Sequence, residues 1–262
     1  MYIKNFKIDP RAKTNRIGEI KINNQGCKMK IVEYFTNKNI TVEFLDEHHG
    51  RIENVIYKNF CAGEVVNPYH TQYMNVGYIG EIYYDKNIQL KEEPSYKSWR
   101  DMLTRCYGDS KQHPGYEECY VCSEWLNYTN FREWYLKNYY DIPGEKMQLD
   151  KDILFKHNHE YCPEKCCFVP SKINHIFANS YASRGSCPIG VSFDKKKKKF
   201  EAYVTDNKKR KFLGYFKTPE EAFYVYKQKK EQIIKLIAEK YKNYLPINTY
   251  NALINWQIEI TD

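Results

Sequence analysis

Between Pro188 and Tyr241 the chain reads "PIGVSFDKKKKKFEAYVTDNKKRKFLGYF" and then, after Lys217, "TPEEAFYVYKQKKEQIIKLIAEKY"; few folds accommodate both patterns together. The first holds three short β-branched and aromatic runs, separated by a lysine-rich bend and by "DNKK". That is the pattern of three strands and two turns. The second opens with Thr218 as N-cap, Pro219 in the first helical position and Glu220 and Glu221 in the first turn. Ala222, Phe223, Tyr226, Ile233, Ile237 and Tyr241 then recur at helical spacing, a face wide enough to cover a small sheet. The pattern predicts a three-stranded sheet packed on one long helix.

The charge lies in the same place. Residues 190 to 244 hold 16 Lys or Arg against 7 Asp or Glu, a net +9, whereas the whole 262-residue chain is +8. The remainder is therefore balanced at −1. A basic face confined to one segment is the footprint of a polyanion binder, although a run such as "KKKKK" also serves as a solubilising surface.

Residues 14 to about 90 read as β structure. "CKMKIVEYF", "NITVEFLD" and "RIENVIYKNF" are short alternating or β-branched runs, and "NNQG" and "EHHG" punctuate them as turns whose glycines tolerate positive φ. Strands this closely spaced predict a small curled sheet or an SH3-like barrel. His48 and His49 fall in a turn and read as solvated loop histidines. No catalytic constellation is visible there.

From residue 94 to about 180 the pattern changes again. "EPSYKSWRDMLTRCYGD" places Tyr96, Trp99, Met102, Leu103 and Cys106 on one helical stripe, and "NYTNFREWYLKNYY" does the same with Phe131, Trp134 and Tyr135. Next, "MQLDKDIL" reads as a strand, "KHNHEYCPEK" as its loop, "CCFVP" as the return strand, and "SKINHIFANS" as a helix beginning at Ser171. The expected order is β, β, α.

Two segments resemble known families. Residues 94–177 are similar to an HNH-like group common in phage and mobile-element proteins, through "YKSWRDMLTRCY", "YVCSEWLNYTNFREWY", "LDKDI" and "YCPEKCCFVPSKIN". Residues 188–244 resemble the plant ethylene-response-factor DNA-binding domain, through "GVSFDKKKKKFEAYV" and "KRKFLGYFKTPEEAFYVY". Together the resemblances imply a phage-borne DNA-binding protein of homing-endonuclease type, acting in the cytoplasm of a bacterial host.

In an HNH site one metal ligand comes from the first strand, another from the helix, and a histidine activates water. By position the resemblance assigns Asp150 to the strand ligand and Asn174 to the helix ligand, oxygen donors suited to Mg²⁺ or Mn²⁺. Lys151 occupies the place of the histidine. A lysine near its ordinary pKa of ~10.4 is a poor base, but it can hold phosphate. His157, His159 or His175 could replace it, and Asp152, two residues from Asp150, could share the metal. The alternative is that Asp150 and Asp152 make structural hydrogen bonds only.

In the plant domain the sheet enters the major groove. The resemblance therefore assigns double-stranded DNA contacts to Lys196, Lys198, Tyr203, Lys209, Arg210 and Lys211. For Tyr203 and Tyr215, base contact and packing under the helix both remain open.

There are nine cysteines and no secretory leader pattern, which favours thiols or metal ligands over disulfides. Cys119 and Cys122 form a CxxC, and with Cys162 and Cys166 or Cys167 they could bind a structural zinc, or they could simply be core residues. No apolar run approaches the ~18 residues of a membrane span.

The expected architecture is thus α+β in three parts. Residues 1–92 form a small β-barrel-like domain, 93–182 an HNH-like ββα domain, and 186–262 the DNA-binding domain with an apolar tail. The expected function is metal-dependent DNA cleavage or nicking. The alternative is an inactive descendant that binds DNA or protein, such as an inhibitor of a host defence nuclease.

Overall fold

The computed structural model describes residues 16–81, 89–177, 187–207 and 209–262. The fold is mixed α and β, and the chain divides into two compact units, Met1–Leu136 and Lys137–Asp262. The division falls within a helix, whereas the sequence pattern suggested boundaries near residues 92 and 182–186.

In the first unit β1 (Ile20–Ile22), β2 (Lys28–Thr36), β3 (Asn39–Phe44) and β4 (Arg51–Val55) form an antiparallel sheet in sequential order. Alternation drives it: Met29 and Ile31 of β2, with Ile40, Val42 and Phe44 of β3, are wholly buried against Phe60 of α1 (Tyr57–Cys61). The β1–β2 turn works as expected, with Gly26 at φ 84°. In the β3–β4 turn it is His49, not Gly50, that takes the left-handed conformation, at φ 47°.

The expected barrel is not formed, because among the described residues the sheet stays open between β1 and β4. Strand β1 has only three residues, and Ile20 and Ile22 are both exposed, so its length and pattern give a closing strand nothing to cover.

The unit continues with a 3₁₀ turn (Leu90–Glu92), α2 (Pro94–Tyr107), β5 (Tyr120–Val121), α3 (Ser123–Leu126) and α4 (Tyr128–Asn138). Tyr96, Trp99, Met102 and Leu103 of α2 are buried as the spacing predicts, and Trp99 Nε1 donates to the Trp125 carbonyl at 2.7 Å.

The second unit contains β6 (Met147–Asp150), β7 (Glu160–Tyr161), β8 (Cys167–Pro170), α5 (Ser171–Phe177), β9 (Val191–Asp194), β10 (Lys199–Asp206), β11 (Lys209–Phe216), α6 (Pro219–Tyr241) and α7 (Ile247–Ile254). β6 and β8 pair antiparallel with Asp150 opposite Cys167, and α5 follows directly; β7 intervenes where the sequence suggested only a loop, so the order along the chain is β, β, β, α. The helix predicted through Ser180 is seen as far as Phe177, and residues 178–180 lie outside the described residues. Strands β9, β10 and β11 form a three-stranded antiparallel sheet with β10 central, and α6 lies along one face. The N-cap is as expected: the Glu221 amide donates to Thr218 Oγ1 at 3.2 Å.

These two substructures share one core. Ile153, Cys167, Val169 and Ile173 of the hairpin and α5 belong to one core with Val191, Ala202 and Val204 of the sheet and Ala222, Ile234 and Ala238 of α6. Leu253 of α7 and Ile258 complete it. At ~1.5–3 kcal/mol for each buried aliphatic side chain, the hairpin and tail contribute substantially to holding the sheet on its helix. Gly190 is required where the chain enters the sheet: it has φ 76°, and a Cβ there would lie 2.1 Å from the Tyr226 ring.

Candidate functional site

Among the described residues of the second unit, two places carry the polar chemistry considered for a site. The first is the loop between β6 and β8. Asp150 ends β6 and is only 7 % exposed. Its Oδ1 accepts from the backbone N–H groups of Asp152 (2.9 Å) and Ile153 (2.8 Å), so the carboxylate caps the turn that leaves the strand. Burial pushes its pKa up, the Asp152 charge adds to this, and the two amides act in opposition.

Lys151 is equally buried, at 7 % exposure. Its Nζ donates to both carboxylate oxygens of Asp152, at 2.9 Å each, and to the Asn158 carbonyl at 2.7 Å. The Asn158 side chain answers by donating to the carbonyls of Lys151 (2.9 Å) and Glu160 (2.6 Å) and accepting from the Glu160 amide. The loop is therefore tied to itself, with Lys151 as its internal cation. The residue in the base position closes a loop, and the second carboxylate already has a cation on both oxygens.

Asn174, on α5, donates to Gln148 Oε1 at 3.0 Å. Gln148 is two residues before Asp150 on β6, so strand alternation puts both on one sheet face. The fold thus directs the strand carboxylate and the helix amide to the same side of the hairpin. His157 has φ 59°, and its Nε2 is 3.2 Å from Asp262 Oδ1. The neighbouring Lys156 Nζ reaches the same carboxylate at 2.8 Å and the Gln257 carbonyl at 2.9 Å. His159 is exposed on the loop, and exposed His175 has its Nδ1 on the Ser171 carbonyl of its own helix.

As arranged, these groups do not make a ready cation site. Asp152 is neutralised by Lys151, and the buried Asp150 favours its protonated form more than an ordinary carboxyl does. Among the described residues, no group of three or more His, Cys, Asp or Glu could hold a metal ion. Burial also pushes the Cys162 and Cys166 thiols above their ordinary pKa, away from the thiolate that zinc requires, and Cys167 up to about 12.

The second place is the sheet face that α6 leaves open. Ala202 and Val204 are buried on the helix side, so the alternate residues Glu201, Tyr203 and Thr205 face away. Register carries the pattern to β11: Tyr203 is opposite Phe212, Thr205 opposite Arg210 and Glu201 opposite Tyr215, with an irregularity between Ala202 and Tyr203. The Tyr203, Phe212 and Tyr215 rings form a continuous stripe, with centroids 5.3 Å and 4.8 Å apart.

A cation lies over each end of the stripe. The Arg210 guanidinium is 3.8 Å from the Tyr203 centroid, and Lys197 Nζ is 3.9 Å from the Tyr215 centroid. Lys197 also donates to the Tyr215 hydroxyl at 2.7 Å, which raises the lysine pKa and keeps it charged. Between them Phe212 remains 48 % exposed.

The cations predicted for DNA contact are divided by this register. Arg210 is on the open face. Lys211 is opposite the buried Val204 and pairs with Asp206 Oδ2 at 2.5 Å, and Lys209 is opposite Asp206; both follow the alternation of the helix side. Lys196 and Lys198 are exposed in the β9–β10 turn, Lys198 with φ 51°. The run of lysines concealed Lys197, the one that lies on the stripe. No family model, curated protein or solved structure matches this chain.

Proposed function

We propose that this chain is a DNA-binding protein that engages nucleic acid through the open face of the β9–β10–β11 sheet. The observation that carries the reading is the register, which sets Tyr203, Phe212 and Tyr215 with Arg210 and Lys197 on the face opposite α6. Buried aromatics need no cations, and a solubilising lysine surface needs no aromatic stripe. Together they suit a polyanion that also presents flat, apolar bases. The +9 charge of residues 190–244 supplies long-range attraction, and the resemblance of this segment to a plant DNA-binding domain points the same way.

The test is binding of fluorescein-labelled DNA to the full chain, followed by anisotropy. Arg210→Ala with Lys197→Ala is expected to weaken binding at least tenfold, and Glu220→Ala with Glu239→Ala not at all. Binding indifferent to both pairs of changes would sink the proposal.

A second reading is metal-dependent phosphodiester hydrolysis at the hairpin, in a phage or mobile-element nuclease. The placement of Asp150 and Asn174 on one side of the hairpin favours it, since those are the strand and helix ligands of the resembled motif. A bound Mg²⁺ or Mn²⁺ would supply Lewis-acid stabilisation there. The self-satisfied Lys151–Asp152–Asn158 network supports the inactive, binding-only alternative instead. Nicking of supercoiled DNA with Mg²⁺ or Mn²⁺, abolished by EDTA and by Asn174→Ala, would establish the nuclease reading.

A further inference from the structure

We infer that the open sheet face takes unpaired bases, so that the preferred ligand is single-stranded nucleic acid; this rests on the DNA-binding reading above. A duplex hides its base faces in the stack and offers a protein only base edges and phosphates. Edges are read by hydrogen-bonding groups, yet the middle ring of the stripe is Phe212, which has none and is half exposed. A ring of that kind contributes most by stacking on a base face, which only an unpaired base presents.

The charges are placed consistently with this. Glu201 lies in the middle of the same face, accepting from Ser192 Oγ at 2.9 Å and the Tyr203 hydroxyl at 3.2 Å. A carboxylate there repels a phosphate backbone crossing the centre but tolerates neutral bases, and it can accept from an exocyclic amino group. The cations stand towards the two ends of β10: Lys195 to Lys198 in the turn before it, Arg210 at the turn after it. The outer rings of the stripe lie within about 10 Å of each other, given centroid separations of 5.3 and 4.8 Å, with a cation on each. That length suits a short single strand, with phosphates held at both ends and bases laid across the aromatic stripe, near the ~4-nucleotide lower limit of such sites. Arg210 and Lys197 lie over the outer rings, and on binding they can move from ring to phosphate.

The experiment compares four fluorescein-labelled ligands of one length with the full chain at one salt concentration: single-stranded DNA, the same sequence as RNA, its DNA duplex, and a strand with abasic sites in place of the bases. Single strands are expected to bind at least tenfold more tightly than the duplex, and the abasic strand to lose most of that advantage. Phe212→Ala is expected to weaken single-strand binding by about 5- to 150-fold, the range for one stacked base, and duplex binding by less than threefold. Because Phe212 is half exposed, this variant is expected to keep the wild-type circular dichroism spectrum. Tighter binding of RNA than of DNA keeps the inference and identifies the sugar. Equal or tighter binding of the duplex, or of the abasic strand, overturns the inference and leaves the DNA-binding reading standing. No binding of any ligand overturns both.

Discussion

Replacing Asp150 by asparagine should stabilise the second unit at pH 7, whereas replacing it by alanine should destabilise it. Asp150 is buried, and its Oδ1 satisfies the amides of Asp152 and Ile153 at 2.9 and 2.8 Å. Alanine leaves both donors without that acceptor, and at ~1–3 kcal/mol for each orphaned group the loss is about 2–6 kcal/mol. Asparagine keeps the acceptor oxygen, and its amide group stands where the protonated carboxyl would hold its hydrogen. What it removes is the charge. The folded pKa of Asp150 is raised, chiefly by desolvation, so at pH values between the unfolded and folded pKa the native chain holds a proton that the unfolded chain has released. The contribution of Asp150 to stability is then full below the unfolded pKa near 3.9 and declines as pH rises towards the folded value. Asparagine escapes that decline. Urea unfolding followed by circular dichroism, at pH 4 and pH 7, should show the asparagine variant pulling ahead of wild type as pH rises. An asparagine variant as unstable as the alanine one at pH 7 would refute the reasoning, since the charge itself would then be stabilising. Saturating Mg²⁺ adds a linked test: a cation bound through Asp150 would stabilise wild type and not the variant.

Lys151→His should not create activity. It should lower stability by about 1–3 kcal/mol, because the Asn158 carbonyl loses a buried charged donor while half-exposed Asp152 recovers solvation; urea unfolding and plasmid nicking would show it. DNA affinity should fall with salt along a log–log slope near −5, about −0.9 for each of five or six phosphates on duplex and somewhat less on single strands, and Lys197→Ala with Arg210→Ala should flatten it by about two contacts in an anisotropy titration. Gly190→Ala should cost at least ~1–3 kcal/mol of unfolding free energy, since its Cβ would enter the Tyr226 ring from a left-handed backbone. Leu253→Ala, in a wholly buried site beyond the sheet and α6, should cost about 2–5 kcal/mol and melt hairpin and sheet together.

Where local patterns dominate, the fold could be read directly. The Thr218–Pro219–Glu220–Glu221 start of α6 is set by capping chemistry, and the β6, β8 and α5 segments by their apolar spacing. The open face was harder to assign. Three successive cations, Lys209 to Lys211, show no apolar alternation, and the register irregularity opposite Ala202 and Tyr203 shifts the phase along β11. Tyr203 and Tyr215 could therefore have belonged to either face. Lys197 was hidden among identical neighbours, and only the geometry of the turn selects it. Burial of Lys151 depends on Asn158 returning across a seven-residue loop, and the shared core depends on surfaces far apart in the chain; neither leaves a periodic trace. The barrel expectation failed for a simpler reason, because strand spacing says nothing about whether the last edge finds the first.

The shared core also bears on what the hairpin contributes to the sheet. The apolar side of β8 and α5, through Cys167, Val169 and Ile173, is continuous with the residues that hold the sheet on α6. Lys230 of α6, its pKa lowered by burial, reaches back to the Ile176 carbonyl at 2.7 Å near the end of α5, and the Tyr241 hydroxyl reaches Glu145 at 2.7 Å just before β6. Removing the hairpin would strip these partners from α6, the helix against which the sheet packs. Changing the polar side chains of its loop would leave them intact, provided the loop is closed by some internal cation. Lys151 is such a cation, fixed between Asp152 and Asn158. A hairpin of this kind is therefore held in place by the stability it lends to the sheet and α6.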